Sequence, residues 1–153
     1  MKVFNHYLTF NDELKSRKQS DIKLIIVHHR AGDGDIESIH QYHKKRGWAG
    51  IGYHFYIMKD GSVHKGRDIQ QIGAHCKGCN TSSIGICLEG NFKHEQPTGA
   101  QLNSLSELCL SLKHDIPTIK RVLNHNDLYK TECPAIDLKA LIQGVNDDGR
   151  FIV

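Results

Sequence analysis

Residues 23–30, KLIIVHHR, decide the fold, because they join a short apolar run rich in β-branched side chains to two histidines. Such a run is typical of a strand buried on both faces in an α/β sheet, where functional side chains gather at strand ends. The stretch therefore predicts a buried strand that delivers His28 or His29 to a site. Successive strand residues face opposite sides, and both faces here are apolar, so the pattern does not choose between the two histidines.

Short apolar runs and turn signals predict four more strands, near residues 52–58, 62–66, 83–90 and 119–124. The first two flank Lys-Asp-Gly-Ser, a hairpin signal because Asp-Gly tolerates the positive φ angles of a tight turn. The third, SIGICLEG, suits a central strand of the sheet. The residues between the hairpin and this strand, 67–82, contain GAHCKGCN and are predicted to form a loop.

Three helices are predicted between and after these strands. Asp35 can cap the first, which covers about residues 36–46. Thr98-Gly-Ala-Gln has the spacing of a capping box, and leucines at helical spacing continue the second helix to about residue 113. Asp137 begins a last short helix, DLKALIQG. We therefore expect an α/β fold, a central mixed sheet flanked by helices, in one domain over residues 1–153 with its core at about 23–143.

Composition limits the partners and the compartment. The chain has 20 Lys and Arg against 17 Asp and Glu, a net charge of +3, and its basic residues are scattered. A nucleic-acid surface is denser in positive charge, so we expect no nucleic-acid partner. No apolar run reaches the length of a signal peptide or a membrane span, so we expect synthesis in the cytoplasm and no membrane insertion. We expect the first twenty residues to add a strand packed on the domain.

Two groups of residues have the spacing of a metal or thiol site. His125 and Cys133 lie in the turn-like stretch NHNDLYKTECP, and a hydrolytic zinc site commonly takes three protein ligands and leaves one position open. A histidine at the end of the first buried strand could supply the third. The rival is Cys76-Lys-Gly-Cys79, which could bind zinc, exchange electrons with another thiol pair or close a disulfide.

The remaining patterns give weaker evidence of a functional site. His40 and His43 lie three residues apart on the first helix and could face one metal, although we expect one to pack and the other to be solvated. The sequence contains no Gly-x-Ser-x-Gly elbow, phosphate-binding loop or Rossmann glycine pattern. Serine hydrolases, nucleotide hydrolases and dinucleotide oxidoreductases therefore lose support.

Four stretches, in order and spacing, resemble the zinc-dependent N-acetylmuramoyl-L-alanine amidases of bacteriophages, which are relatives of the animal peptidoglycan recognition proteins. The resemblance extends over nearly all of residues 23–143, and the matching stretches are IIVHHRA, YHKKRGWAGIGYHFYIMKDGSVHKGRD, GAHCKGCNTSSIGICLEG and NHNDLYKTECPAIDLK. The resemblance implies hydrolysis of the amide between N-acetylmuramic acid and L-alanine in bacterial peptidoglycan. It also implies a monomeric endolysin or autolysin that lyses cells, an endolysin reaching the wall through a holin lesion.

The resemblance further implies which residues form the site. Zn²⁺ would be held by His28, His125 and Cys133, with His28 chosen over His29 because the family's ligand directly follows the apolar strand. Bound zinc would activate water for attack on the amide carbonyl. Tyr53 matches the family's catalytic tyrosine and would orient that water or stabilise the oxyanion.

Other matched positions differ between members of the family. Thr131 stands where some phage amidases have lysine, so it offers a neutral hydrogen bond in place of a positive charge. His75 and Asn80 match positions in the substrate groove and are expected to contact glycan or stem peptide. Cys76 and Cys79 depart from the family's usual residues and receive no role from the resemblance.

The sequence leaves two alternatives to catalysis. Some recognition proteins keep the groove, lack a complete set of zinc ligands and act as binding modules. All three ligand positions are filled here, which favours an enzyme. A zinc- or thiol-based regulator would use Cys76 and Cys79, and nothing else in the chain supports it.

Overall fold

The computed structural model describes residues 1–152, within which six strands form one mixed sheet flanked by helices. In chain order the elements are β1 (Val3–Phe4), β2 (Leu24–His29), α1 (Ile36–Lys45), β3 (Phe55–Ile57), β4 (Val63–Lys65), β5 (Ser83–Leu88), α2 (Gly99–Asp115), β6 (Arg121–Asn124) and α3 (His125–Leu128). The strand order is β1-β4-β3-β5-β2-β6. The predicted α/β class with a mixed sheet is confirmed.

The centre of the sheet is parallel and its hairpin is antiparallel. β2 pairs in parallel with both β5 and β6, and β3 pairs in parallel with β5. β3 and β4 pair antiparallel, with Phe55 opposite Lys65, as the Asp-Gly turn predicts. The short strand β1 adds to β4 in parallel, so the predicted extra strand at the N-terminus is confirmed.

The two longer helices cover opposite faces of the sheet. On one face, the apolar side chains of α2 pack against alternate residues of the central strands, and this core includes Ile25, Val27, Phe55, Ile57, Ile84, Ile86, Leu88, Leu105, Leu108, Cys109 and Leu112. On the other face, α1 contributes to a smaller core of Ile36, Ile39, Ile51, Tyr56 and Cys87. Because side chains alternate along a strand, β3 and β5 contribute buried residues to both cores.

The two histidines at the end of β2 face opposite sides. His28 pairs with Cys87, and Cys87 pairs with Tyr56. Neighbours in register share a face of the sheet, so His28 projects on the side of α1. His29 projects on the side of α2, where its Nδ1 accepts a hydrogen bond from the backbone N–H of Phe92 at 3.0 Å.

Both predicted helix caps are present. Asp35 accepts from Ser38 N at 2.9 Å, and Thr98 and Gln101 form the reciprocal bonds of a capping box.

Two histidines of α1 explain why β3 starts later than predicted. The backbone N–H groups of residues 51 and 52 donate to Nδ1 of His40 and of His43 rather than to a neighbouring strand. The expectation that one of these histidines is solvated is therefore wrong: both are buried.

The C-terminal third differs most from the sequence prediction. The helix predicted from Asp137 is only a 3₁₀ turn at Leu138–Leu141, and α3 forms in a stretch predicted to be turn-like. The buried Asn124 connects the two segments. Its side chain accepts from Lys139 N at 3.0 Å and donates to Asp137 at 2.8 Å, and its backbone N–H donates to Asp127.

Within the described residues, no helix is long and apolar enough to cross a membrane.

Arg17 ties the N-terminal segment to the loop of residues 67–82. Its buried guanidinium donates hydrogen bonds of 2.6 to 3.1 Å to the carbonyl oxygens of Ile69, Asn80, Thr81 and Ser83. Burial lowers the pKa of Arg17 to about 10, so the side chain stays charged at neutral pH. Bonds from a charged donor are the stronger kind, and this one group holds both ends of the loop.

We predict that Arg17→Met lowers the free energy of unfolding by about 3 kcal/mol, because several buried carbonyl groups lose a charged donor. Urea denaturation measures this loss. Arg150→Met is the matched control, since the Arg150 side chain is 67% exposed and, within residues 1–152, its one salt bridge is with Asp148 on the surface, where an ion pair contributes about 1 kcal/mol or less. Equal, small losses in the two variants would contradict the anchoring role of Arg17.

Candidate metal centre

Three side chains with metal-binding atoms converge at the carboxyl end of the central strands. The donor atoms of His28, His125 and Cys133 all lie within 4.8 Å of one another. Nδ1 of His28 is 3.7 Å from Sγ of Cys133, and the two imidazole centroids are 4.5 Å apart. A nitrogen and a sulfur bound to one tetrahedral zinc ion lie about 3.5 Å apart, so the spacing suits such an ion.

The parallel sheet explains why these residues meet. His28 is near the end of β2, and His125 directly follows the neighbouring parallel strand β6 as the first residue of α3. The carboxyl ends of parallel neighbours lie at the same edge of a sheet. The loop after α3 then folds back, with the backbone N–H of Asn126 donating to the carbonyl of Cys133 at 2.9 Å. This places Cys133 beside the two histidines.

The protonation of the three groups fits a metal site. Burial lowers the pKa of His28 well below its ordinary value, and His125 and His29 lower it further. Burial also lowers the pKa of His125, so both rings are neutral at physiological pH. Burial raises the pKa of the Cys133 thiol to about 11, so its thiolate needs a cation beside it.

One buried atom in this cluster lacks a partner. Among residues 1–152, Nε2 of His125 is shielded from solvent and accepts or donates no hydrogen bond. Buried polar atoms are normally hydrogen-bonded, and those that are not call for an explanation such as a bound ion. The orphaned nitrogen, the neutral rings and the buried thiol together fit a divalent metal with affinity for nitrogen and sulfur.

Two cavities meet at the cluster. The larger, of about 650 Å³, is lined by Arg30, Ala31, Tyr42, His43, Arg46, Trp48, Tyr53, Ala74, His75, Cys76, Lys77, Gly78, Asn80, His125 and Tyr129. The smaller, of about 330 Å³, is lined by His28, His29, Ala31, Tyr53, Lys93, His125, Thr131, Glu132 and Cys133. Ala31, Tyr53 and His125 border both, so the two cavities adjoin beside the metal-binding residues.

Tyr53 lies directly against the cluster. Its ring centroid is 4.9 Å from that of His28. Burial, and then the neighbouring thiols of Cys87 and Cys133, raise the pKa of Tyr53 well above 10. The phenol therefore keeps its proton at physiological pH and can act as a hydrogen-bond donor.

The smaller cavity contains a cation that the sequence analysis missed. Thr131 lines this cavity, and its hydroxyl accepts a hydrogen bond from the backbone N–H of Cys133 at 3.3 Å. Lys93, from the loop after β5, lines the same cavity and forms an ion pair with Glu132. No motif or spacing connects Lys93 to the cluster, because it reaches the cavity only through the folding of a loop.

His75 and Asn80 line the larger cavity, as the prediction of substrate contacts requires. The carboxamide oxygen of Asn80 accepts from the backbone N–H groups of His75 and Cys76, both at 2.9 Å, so it shapes the loop as well. His75 is also bonded to His28, with 2.9 Å between its Nδ1 and Nε2 of His28. Whether either residue contacts substrate stays a prediction.

Cys76 and Cys79 lie apart from the three converging side chains. Cys76 is buried, and burial beside Cys79 raises the pKa of its thiol to about 12. In the part of the chain that the structure describes, no third metal-binding side chain joins this pair. The geometry thus gives the Cys-x-x-Cys pair less support as a metal site than it gives His28, His125 and Cys133.

Comparisons with known proteins agree with the resemblance seen in the sequence. Residues 18–136 match the family model described as N-acetylmuramoyl-L-alanine amidase. The endolysin of Klebsiella phage KP32 is 37% identical over 131 residues, which are 80% of this chain and 86% of that protein. The endolysin of Escherichia phage T7 is 36% identical over 138 residues, 83% of this chain and 88% of that protein.

A solved structure shows the same fold. The N-acetylmuramoyl-L-alanine amidase LysC from Clostridium intestinale URNW superposes with a TM-score of 0.81 at 36% identity, covering 88% of this chain and 89% of LysC. The match of the family model extends over most of the chain and includes β2, α3 and the loop that carries Cys133. The chain therefore belongs to the N-acetylmuramoyl-L-alanine amidase family.

Proposed function

We propose that this protein hydrolyses the amide bond between N-acetylmuramic acid and L-alanine in bacterial peptidoglycan, with zinc held by His28, His125 and Cys133. The observation that carries the proposal is the convergence of these three donor atoms within 4.8 Å, at the junction of two cavities, in a chain of the amidase family. A binding module that has lost catalysis has no need of a complete ligand set.

The donor set favours zinc over harder cations. Two neutral imidazoles and one thiolate are ligands that zinc accepts in tetrahedral sites, whereas calcium and magnesium take oxygen ligands. These three residues would hold the ion and would leave it free to take a further ligand. When bound there, zinc supplies Lewis acidity that activates water and polarises the amide carbonyl.

Tyr53 is proposed to act as a hydrogen-bond donor during the reaction. It touches His28 and borders both cavities, so it lies where a substrate bound across the cluster would contact it. Because its pKa is well above 10, it donates a proton in a hydrogen bond without losing it. A donor aimed at the developing oxyanion stabilises the transition state more than the substrate.

Thr131 is proposed to contribute a neutral hydroxyl beside the reacting group. Its oxygen already accepts from Cys133 N, which leaves its own O–H to donate into the smaller cavity. Lys93 is the cation in that cavity, but Glu132 neutralises part of its charge. The positive field at the site is thus weaker than one unpaired lysine would give.

The larger cavity is proposed to hold the glycan or the stem peptide. Trp48 and Arg46 form part of its wall, with the guanidinium 5.1 Å from the centroid of a ring of Trp48. Aromatic faces suit sugar rings, and the cations Arg30, Arg46 and Lys77 suit carboxylates. His75 and Asn80 line the same cavity and are proposed to add contacts there.

We further propose that residues 1–153 act as one catalytic domain and as a monomer on the cell wall.

The activity is tested by incubating the purified protein with peptidoglycan, with and without a chelator. We expect newly freed L-alanine amino termini, measured by amino-group labelling and identification of the labelled residue, and we expect the chelator to abolish them and added zinc to restore them. Protein that retains bound zinc and frees no L-alanine termini would overturn the proposed function in favour of a binding module.

Tyr53→Phe should lower the rate of L-alanine release by about 10²-fold, because the transition state loses one hydrogen-bond donor. The zinc content, measured by elemental analysis, should stay that of the wild type. Tyr7→Phe is the matched control, since Tyr7 is fully exposed and borders neither cavity. A Tyr53→Phe enzyme as active as the control would remove Tyr53 from the mechanism.

Cys133→Ser should lose most of its zinc, while Cys76→Ser should keep it. Loss of one ligand should weaken zinc binding by more than the roughly 10- to 100-fold that follows loss of a ligand's hydrogen-bond partner. Competition with a chromophoric chelator measures the affinity of both variants. The reverse result, with zinc lost from Cys76→Ser alone, would move the metal to the Cys-x-x-Cys loop.

A further inference from the structure

A chain of hydrogen bonds runs from the loop of residues 67–82 to the proposed zinc ligand His28. The Ser83 hydroxyl lies 2.7 Å from the carbonyl oxygen of Cys79 and 3.3 Å from Nε2 of His75. Nδ1 of His75 lies 2.9 Å from Nε2 of His28. Nδ1 of His28, at the end of the chain, lies 3.7 Å from Sγ of Cys133.

The carbonyl at the start of this chain fixes the direction of every bond in it. A carbonyl oxygen only accepts, so the single hydroxyl proton of Ser83 points to Cys79. The Ser83 oxygen then accepts from His75, which places the proton of that ring on Nε2. A neutral imidazole carries one proton, so Nδ1 of His75 accepts, and Nε2 of His28 donates to it.

We infer that His75 is a positioning residue, which holds His28 in the tautomer that leaves Nδ1 unprotonated and facing Cys133. This inference rests on the proposed function, because it assigns His75 a role toward the zinc held at that site. A histidine ligand usually donates its other N–H to a nearby acceptor, which fixes the orientation of the ring and raises the basicity of the ligating nitrogen. Here the acceptor is a second histidine in place of a carboxylate or a carbonyl.

The surroundings of His75 hold its ring in this position. Gly85 of β5 lies directly behind the ring, and a Cβ at that position would come within 2.7 Å of two ring carbons of His75. The absence of a side chain at Gly85 therefore makes the space that His75 occupies. The backbone N–H of His75 donates to Asn80, so the loop fixes the main chain as well as the ring.

The tautomer is tested first on the zinc-free wild-type protein. Long-range ¹H–¹⁵N correlation spectra distinguish a proton on Nδ1 from one on Nε2 in each histidine ring. We expect both His28 and His75 to carry the proton on Nε2. A proton on Nδ1 of His28 would overturn the inference, and this result needs neither bound zinc nor activity.

The effect on the metal is tested with His75→Ala and with a pair of serine variants. We expect His75→Ala to weaken zinc binding about 10- to 100-fold, measured by competition with a chromophoric chelator. Ser83→Ala should cause a smaller loss, because it frees the tautomer of His75 without removing the ring. Ser82→Ala is the matched control, since the Ser82 hydroxyl donates to the same Cys79 carbonyl at 3.3 Å, whereas the hydroxyl paired with His75 is that of Ser83.

The outcomes separate this inference from the proposed function. Zinc affinity unchanged in both His75→Ala and Ser83→Ala, with zinc bound by the wild type, would overturn the role of His75 and leave the proposed function standing. Wild-type protein that binds no zinc would overturn the proposed function itself. If His75→Ala does not fold, as shown by its circular dichroism, two measurements still test the role of His75. They are the zinc affinity of Ser83→Ala compared with that of Ser82→Ala, and the histidine tautomers in the wild-type spectra.

Discussion

The parallel pairing of β2 with β5 on one side and β6 on the other is the constraint on which the rest of the structure depends. It sets His28 beside Cys87 in register and brings the end of β6, and hence His125, to the same edge of the sheet. A slip of one residue in β2 would turn His28 to the face of α2 and replace it with an apolar side chain or His29. The apolar residues on both faces of β2 oppose such a slip, because Ile25, Ile26 and Val27 are all fully buried.

Burial gives the cluster its chemistry as well as its geometry. In water the two imidazoles would titrate near neutral pH and the thiol would ionise in mild base. Away from water the charged forms are disfavoured, so the rings stay neutral and the thiol keeps its proton until a cation compensates it. The same burial keeps the phenol of Tyr53 protonated. Burial thus leaves two neutral imidazoles that can accept, a thiol that ionises only beside a cation, and a phenol that can donate, all in one cluster.

Local patterns in the sequence predicted most of the fold, and contacts distant in sequence explain what they missed. Hydrophobic period, Asp-Gly and the two caps identified the hairpin, the central strands and both long helices, because those signals act over a few residues. The choice of His28 over His29 required the resemblance, since the face of a strand depends on its neighbours in the sheet. His40 and His43 are buried, and their rings accept hydrogen bonds from the backbone N–H groups of residues 51 and 52. No local pattern in the sequence predicts that both histidines are buried.

The hydrogen bonds of Arg17 bear on where the functional unit begins. Similarity to the family starts at residue 18, one position after the guanidinium that holds the loop bearing His75 and Asn80. A boundary drawn from similarity alone would therefore cut away the anchor of a groove wall while keeping every residue that faces the groove. For anyone joining this domain to another protein, the junction therefore belongs upstream of Lys15, because the backbone of Lys15 and Arg17 also bonds to the loop, at Ile72 and Gln70.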